Sequence, residues 1–91
     1  MSDINEIVSE VVVKHERGLH LRCAGNLVKI ASGFKSRIKL SKGRKSVNII
    51  SALDIIALSA SPGTKLNVTI KGEDAQAAME AVIDFFNNPD E

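Results

Sequence analysis

The amino-acid sequence predicts an α+β fold, a two-layer open-faced sandwich with the element order β-α-β-β-α-β-α. Its 91 residues suffice for one domain, residues 1–91, and are too few for two. Short β-branched or alternating segments take turns with segments whose apolar residues recur at helical spacing. Because three amphipathic helices need a common apolar surface, we expect a four-stranded antiparallel sheet with three helices on one face.

The first strand and first helix are separated by a break at residues 16–18. Residues 7–15, IVSEVVVKH, are rich in valine and predict a strand. Residues 21–32 predict a helix, because the apolar positions share one face: Ala24, Leu27, Val28 and Ala31. Gly33 is expected to end this helix in a left-handed conformation.

A β-hairpin is predicted after the first helix. Ile38 and Leu40 alternate with polar residues in one strand, as Val47 and Ile49 do in the next. Residues 42–44, Lys-Gly-Arg, have the composition of the connecting turn.

A short second helix is predicted to start at Ser51, whose hydroxyl can cap the first turn. Asp54 then lies near the positive end of the helix, and Ile50 and Ile55 occupy the two positions of a hydrophobic staple. Residues 61–63, Ser-Pro-Gly, are expected to end the element.

The chain closes with a strand and a helix. Leu66, Val68 and Ile70 alternate with polar residues and predict the last strand. Residues 74–87 predict the last helix from one apolar stripe: Ala75, Ala78, Met79, Val82 and Phe85 or Phe86. The tail after Pro89 is expected to fray.

Composition limits the classes of function. The net charge of +1 indicates neither nucleic acid nor an anionic membrane as the default partner. No apolar run approaches the roughly 20 residues of a membrane span, and the polar start, residues 1–6, lacks the features of a signal peptide. The single cysteine excludes an internal disulfide. We therefore expect a cytoplasmic domain with no membrane insertion.

The stretch RGLHLRCAG, residues 17–25, is the candidate site. If His20 is the N-cap of the first helix, the amides of residues 21–23 have no partner within the helix and form an anion site. The positive helix end favours a neutral, nucleophilic imidazole on His20. Arg22 can supply a charge-assisted contact to a phosphate, and Gly18 permits a close backbone approach. This combination suits reversible phosphorylation of His20, whereas the spacing alone favours an ordinary exposed capping histidine.

No cofactor or metal site is predicted. His15 is interpreted as a residue at the end of the first strand, and no further ligand pattern joins it to His20.

The motif Gly18-Leu19-His20-x-Arg22, within this element order, resembles the HPr family of phosphocarriers of the bacterial phosphotransferase system. The spacing from His20 to Ser51 matches the family's spacing between its active histidine and its regulatory serine. The resemblance covers nearly the whole chain and implies the HPr-like fold.

The resemblance implies a carrier rather than an enzyme that turns over alone. His20 would accept a phosphoryl group from phosphorylated Enzyme I and pass it to an Enzyme II A-type domain or a regulator. Arg22 would contact the phosphate, while the choice between the two imidazole nitrogens stays open. The first two helices would form the docking surface of a monomeric protein.

Ser51 resembles the serine that a dedicated kinase phosphorylates in many bacteria. A serine kinase or phosphorylase and transcriptional regulators would then be partners. Serine is also a preferred cap without any modification, and Asp54 would repel a kinase through like charge, so both interpretations remain. Leu21, Leu53 and Ile56 are candidate docking residues if they face outward.

One position departs from the family motif, because Cys23 stands where the family has proline. Either the thiol is a small packing residue, or it makes the site sensitive to oxidation. The departures at Cys23 and around Ser51 leave two branches open, sugar uptake and a regulatory relay such as a nitrogen-related one. RNA recognition is disfavoured, because the chain has no Trp or Tyr and none of its three Phe residues is predicted on a strand.

Overall fold

The computed structural model of the chain describes residues 6–89. Its elements are β1 (Glu6–Val12), α1 (Leu21–Ala31), β2 (Arg37–Lys42), β3 (Lys45–Asn48), α2 (Ala52–Ile56), β4 (Lys65–Lys71) and α3 (Ala75–Asn87). This order is the predicted one. The strands form a single antiparallel sheet in the spatial order β1-β4-β2-β3. Over residues 6–89, no helix is long and apolar enough to cross a lipid bilayer.

The core lies between one face of the sheet and the three helices. In β4, Leu66, Val68 and Ile70 are buried while Lys65 and Asn67 are exposed, as the alternation predicts. The helices contribute the other half of the core from their apolar stripes: Ala24, Leu27, Ala31, Ile55, Ala78, Met79, Val82 and Phe86. The open face of the sheet carries mainly polar and charged side chains, which fits the two-layer sandwich.

The first strand is shorter than the predicted range of residues 7–15. Its pairing with β4 ends at Val12, opposite Lys65. Val13 instead bonds to the turn that precedes β4. Its N–H donates to the Thr64 carbonyl (2.9 Å), and its carbonyl accepts from the Gly63 N–H (2.8 Å). His15 consequently lies in the loop after the strand.

The predicted left-handed end of α1 at Gly33 is wrong. Gly33 is absent from the glycines with positive φ among the described residues, and α1 ends at Ala31 with Ser32 in a helical conformation. The N–H groups of Gly33 and Phe34 donate to the carbonyls of Ile30 and Ala31, both at 3.1 Å. These shorter-range bonds satisfy the last carbonyls without a left-handed residue.

The predicted start of α2 is correct in position and wrong in its details. Ser51 is the N-cap, but its side chain makes no capping hydrogen bond. The staple does not form, because Ile55 is buried whereas Ile50 is 74% exposed. A tight turn from Asn48 causes this, since its carbonyl accepts from the Ile50 N–H (2.9 Å). The helix also ends earlier than expected, at Ile56.

Asp74 ties the start of α3 to the start of β2. Its carboxylate accepts hydrogen bonds from the Ser36 hydroxyl and from the backbone N–H groups of Lys35 (2.8 Å) and Ser36 (2.9 Å). The Ser36 hydroxyl, followed by the Lys35 N–H, lowers the pKa of Asp74 below its usual range. The fraying expected after Pro89 and the polar start concern residues that lie largely outside the described ones, 90–91 and 1–5.

Candidate functional site

His20 is the N-cap of α1, as the sequence predicts. Its backbone is extended (φ −84°, ψ 179°), and its carbonyl accepts the first helical bond from the Ala24 N–H (2.8 Å). The amides of residues 21–23 therefore precede the first intrahelical bond and have no carbonyl within the helix to reach. The half-buried imidazole makes no capping hydrogen bond of its own. The residue that carries the imidazole thus directly precedes N–H groups that can bind an anion.

The loop before His20 is fixed by a close approach at Gly18. This glycine has φ +74°, and a Cβ on it would overlap the Ala60 carbonyl oxygen and lie 3.2 Å from the Ser61 Cα. The same Ala60 carbonyl accepts a hydrogen bond from the Leu19 N–H (3.1 Å). Glycine is therefore required both by the backbone conformation and by the space.

Cys23 supports this loop from inside. Its thiol is 1% exposed and donates toward the carbonyls of Gly18 and His20, both 3.4 Å away. Oxidation requires an accessible thiol, so this burial favours the packing interpretation over the redox interpretation. The side chain joins the two ends of the loop that holds the histidine.

His15 has a separate, structural position. It is 4% exposed and lies against Phe85 of α3, with ring centroids 4.8 Å apart. Its backbone carbonyl accepts from the Gly18 N–H (2.9 Å), so the residue helps to shape the loop without joining the surface site. Within residues 6–89, no cluster of three or more His, Cys, Asp or Glu side chains has the arrangement of a metal site.

Large apolar side chains are exposed in the first turn of α1, directly after His20, and around the start of α2. Leu21 is 63% exposed and Leu53 is 71% exposed, whereas Ile56 is half-buried. Ile50, which the sequence predicts in the staple, is 74% exposed and lies on the surface instead. We call Leu21, Ile50 and Leu53 the apolar patch. Arg22 is exposed next to it, and Ser51 is half-buried at the start of α2.

The comparison with known proteins identifies the family. The family described as "PTS HPr component phosphorylation site" matches residues 7–88. The chain belongs to the HPr family. Among its relatives, the phosphocarrier protein HPr of Xylella fastidiosa strain 9a5c is 39% identical over 79 residues, which cover 87% of this chain and 89% of that protein. As the family implies, the chain is a phosphocarrier of the phosphotransferase system.

The chain is also similar to a solved HPr structure and to a protein of the NPr type. The crystal structure of an HPr from Bacillus anthracis superposes with a TM-score of 0.85 at 31% identity, covering 89% of this chain and 96% of that one. The phosphocarrier protein NPr of Shewanella violacea is 30% identical over 79 residues and 87% of either chain. The fold expected from the sequence is confirmed.

Proposed function

We propose that His20 accepts a phosphoryl group from phosphorylated Enzyme I and passes it to an Enzyme II A-type domain in sugar uptake. One imidazole nitrogen attacks phosphorus with its lone pair, the new N–P bond forms, and the donor's bond to the same phosphorus breaks. The N-cap position of His20 carries this proposal, because the first-turn amides stabilise the charge of the transferred group. The chain then acts as a carrier rather than a stand-alone catalyst.

Arg22 is the proposed charge partner of the phosphate. It is exposed in the first turn of α1, two residues after His20. Hydrogen bonds to charged groups contribute about 1.5–3 kcal/mol, so we expect Arg22→Ala to slow transfer about 10- to 100-fold. Gly18 has a positioning role, because it allows the loop to reach Ala60.

The test is incubation with Enzyme I and labelled phosphoenolpyruvate. Acid-labile label should appear on the wild type, be absent from His20→Ala and accumulate much more slowly on Arg22→Ala. Lys29→Ala is the matched control, because it removes an exposed cation from the last turn of the same helix. Label that persists in His20→Ala would refute the assignment of His20, and equal slowing by Lys29→Ala would refute a specific role for Arg22.

The apolar patch and the neighbouring Ile56 are proposed to dock Enzyme I and the acceptor domain. Exposed leucine and isoleucine side chains beside a charged group resemble the centre of a protein interface with a polar rim. Leu53→Ser should weaken binding to Enzyme I, measured by calorimetry. Val8→Ser removes a comparably exposed apolar residue (63% against 71%) from the open sheet face and should leave binding unchanged. We further propose that the protein is a cytoplasmic monomer made of one domain, residues 1–91.

A regulatory relay is the second candidate, and the similarity to an NPr favours it. In this alternative His20 or Ser51 is phosphorylated to control partner proteins, which include transcriptional regulators. Transfer rates from the phosphorylated chain to a sugar-type and to a nitrogen-type acceptor domain distinguish the two branches. The faster acceptor identifies the branch.

Phosphorylation of Ser51 by a serine kinase is proposed as a regulatory step within either branch. The Ser51 hydroxyl is not used in a capping bond, and a phosphate there would add negative charge between Ile50 and Leu53. Asp54 in the first turn opposes it by like charge. Acid-stable phosphate from ATP and a cognate kinase should appear on the wild type and be absent from Ser51→Ala; equal labelling of both would exclude Ser51.

A further inference from the structure

A recessed cleft lies between the last turns of α1 and the β2–β3 hairpin, away from His20. Its volume is about 360 Å³, and its apolar lining comes from Val28, Ala31, Phe34, Ile38, Ile49 and Ile50. Val28 follows His20 by eight residues, which corresponds to about 12 Å along the axis of α1. The cleft is therefore separate from the loop that holds the histidine, and its volume falls in the usual range of small-molecule sites.

A second cavity adjoins the cleft at its polar end. It has a volume of about 340 Å³ and is lined by three cations, Lys35, Arg37 and Lys71. Residues Lys35 and Arg37 also line the apolar cleft, so the two recesses adjoin at these residues. The result is one elongated depression with an apolar part and a positively charged part.

Two of the three cations are neighbours across the sheet. Arg37 and Lys71 are direct partners across β2 and β4, and like charges in that position destabilise a sheet. Glu6 is the partner of Lys71 on the other side, in β1.

The part of the sequence that contains Lys35 and Arg37 is also rich in positive charge. Residues 17–53 contain nine Lys or Arg residues and no Asp or Glu, although the net charge of the whole chain is only +1. At the rim, the carboxylate oxygens of Asp74 accept the N–H groups of Lys35 and Ser36. Asp74 thus holds the rim in place with oxygens that already have hydrogen-bond donors.

We propose that this depression binds a small amphipathic organic anion. The apolar body of the ligand lies in the cleft, and its phosphate or carboxylate head lies among Lys35, Arg37 and Lys71. Charge complementarity specifies the head, and the six apolar side chains specify the body. A compact molecule fits a recess of this size better than a lipid bilayer, whose flat surface would meet only the rim.

The test is an NMR titration of the full ¹⁵N-labelled chain with 1-naphthyl phosphate. We expect saturable shifts of the amides at residues 28–38, 48–50 and 70–72, with the amides of residues 18–24 unaffected. Inorganic phosphate and 2-naphthol, each carrying one half of the ligand, should bind at least about fivefold more weakly, because each lacks one set of contacts. Shifts confined to residues 18–24, or no saturable shift, would overturn the proposal.

Arg37→Gln should weaken binding of 1-naphthyl phosphate at least about fivefold, because it removes a charge-assisted contact. Lys39→Gln is the matched control: it removes an exposed cation from the same strand without altering the lining and should leave affinity unchanged. Equal weakening by both variants would indicate non-specific attraction and refute the site. Binding to phosphatidylglycerol vesicles, or to an acidic peptide, without binding of the soluble ligand would also refute it, whereas binding of the soluble ligand alone supports it.

Discussion

Replacing Gly18 with alanine should destabilise the protein through two separable effects. The first is conformational, because a residue with a Cβ at φ +74° costs about 1–2 kcal/mol. The second is steric, because the new Cβ would overlap the Ala60 carbonyl oxygen. The carbonyl belongs to the backbone and the Cβ is fixed directly to it, so neither can rotate away; the loop must move and lose the hydrogen bond from Leu19 to Ala60. That loss adds about 1 kcal/mol.

The two effects together give a loss of about 2–3 kcal/mol in the free energy of unfolding. In a domain of this size, such a loss lowers the Tm by about 10–20 °C. Urea unfolding followed by circular dichroism measures the free energy, and a thermal scan under the same conditions measures the Tm.

Two other glycines separate the effects. Gly43 has φ +60°, but a Cβ added to it would meet nothing within 4 Å, so Gly43→Ala should cost only the conformational part, about 1–2 kcal/mol. Gly25 lies within α1 with open space around it, and Gly25→Ala should stabilise by about 0.5–1 kcal/mol. If Gly18→Ala costs no more than Gly43→Ala, the approach to Ala60 does not constrain the loop and the reasoning is refuted.

Three further substitutions test other parts of the structure. Cys23→Pro should retain phosphoryl transfer from Enzyme I, because position 23 precedes the first intrahelical N–H bond; a clear loss of labelling would show that the thiol contacts matter. Asp74→Asn should destabilise at neutral pH. Because the folded-state pKa of Asp74 is lowered, its contribution is complete above its unfolded pKa of about 4 and is lost as the pH falls below it, so the wild type and variant should converge in acid unfolding curves. A difference that persists in acid contradicts this. Leu27→Ala, at a fully buried position, should cost about 2–5 kcal/mol in urea unfolding, and a loss below that range would mean that α1 packs loosely.

Local patterns are sufficient to predict the elements of this fold. Alternation in β2 and β4 and the apolar stripe of α3 specify both the type of element and the buried face, and the structure agrees with them. The wrong predictions concern the ends of the helices. Gly33 is a common helix terminator, but the sequence does not reveal whether shorter-range bonds to Ile30 and Ala31 already close the helix. Ile50 has the spacing of a staple, but the turn at Asn48 directs it outward.

In the candidate site, too, local features can be predicted from the sequence and contacts between distant segments cannot. His20 at the N-cap and Arg22 in the first turn are local features, and the sequence predicts both positions. The partner of Gly18 is not local, because Ala60 lies beyond the hairpin and α2. No periodicity or motif connects these two positions, and only the folded chain shows their approach. The sequence likewise leaves the role of Cys23 open, whereas its burial and its two carbonyl partners in the fold favour packing.

The loop of His20 therefore depends on the segment that follows α2. In that segment Ser59 adopts φ +55°, a conformation that costs a residue with a side chain about 1–3 kcal/mol unless its surroundings hold it. Lys42 supplies part of that support, because its ammonium donates to the carbonyls of Leu58 (3.1 Å) and Ser59 (2.9 Å). The next carbonyl, that of Ala60, is the one that contacts the histidine loop. The geometry of the His20 loop is thus held by a continuous set of contacts that begins in the β2–β3 hairpin.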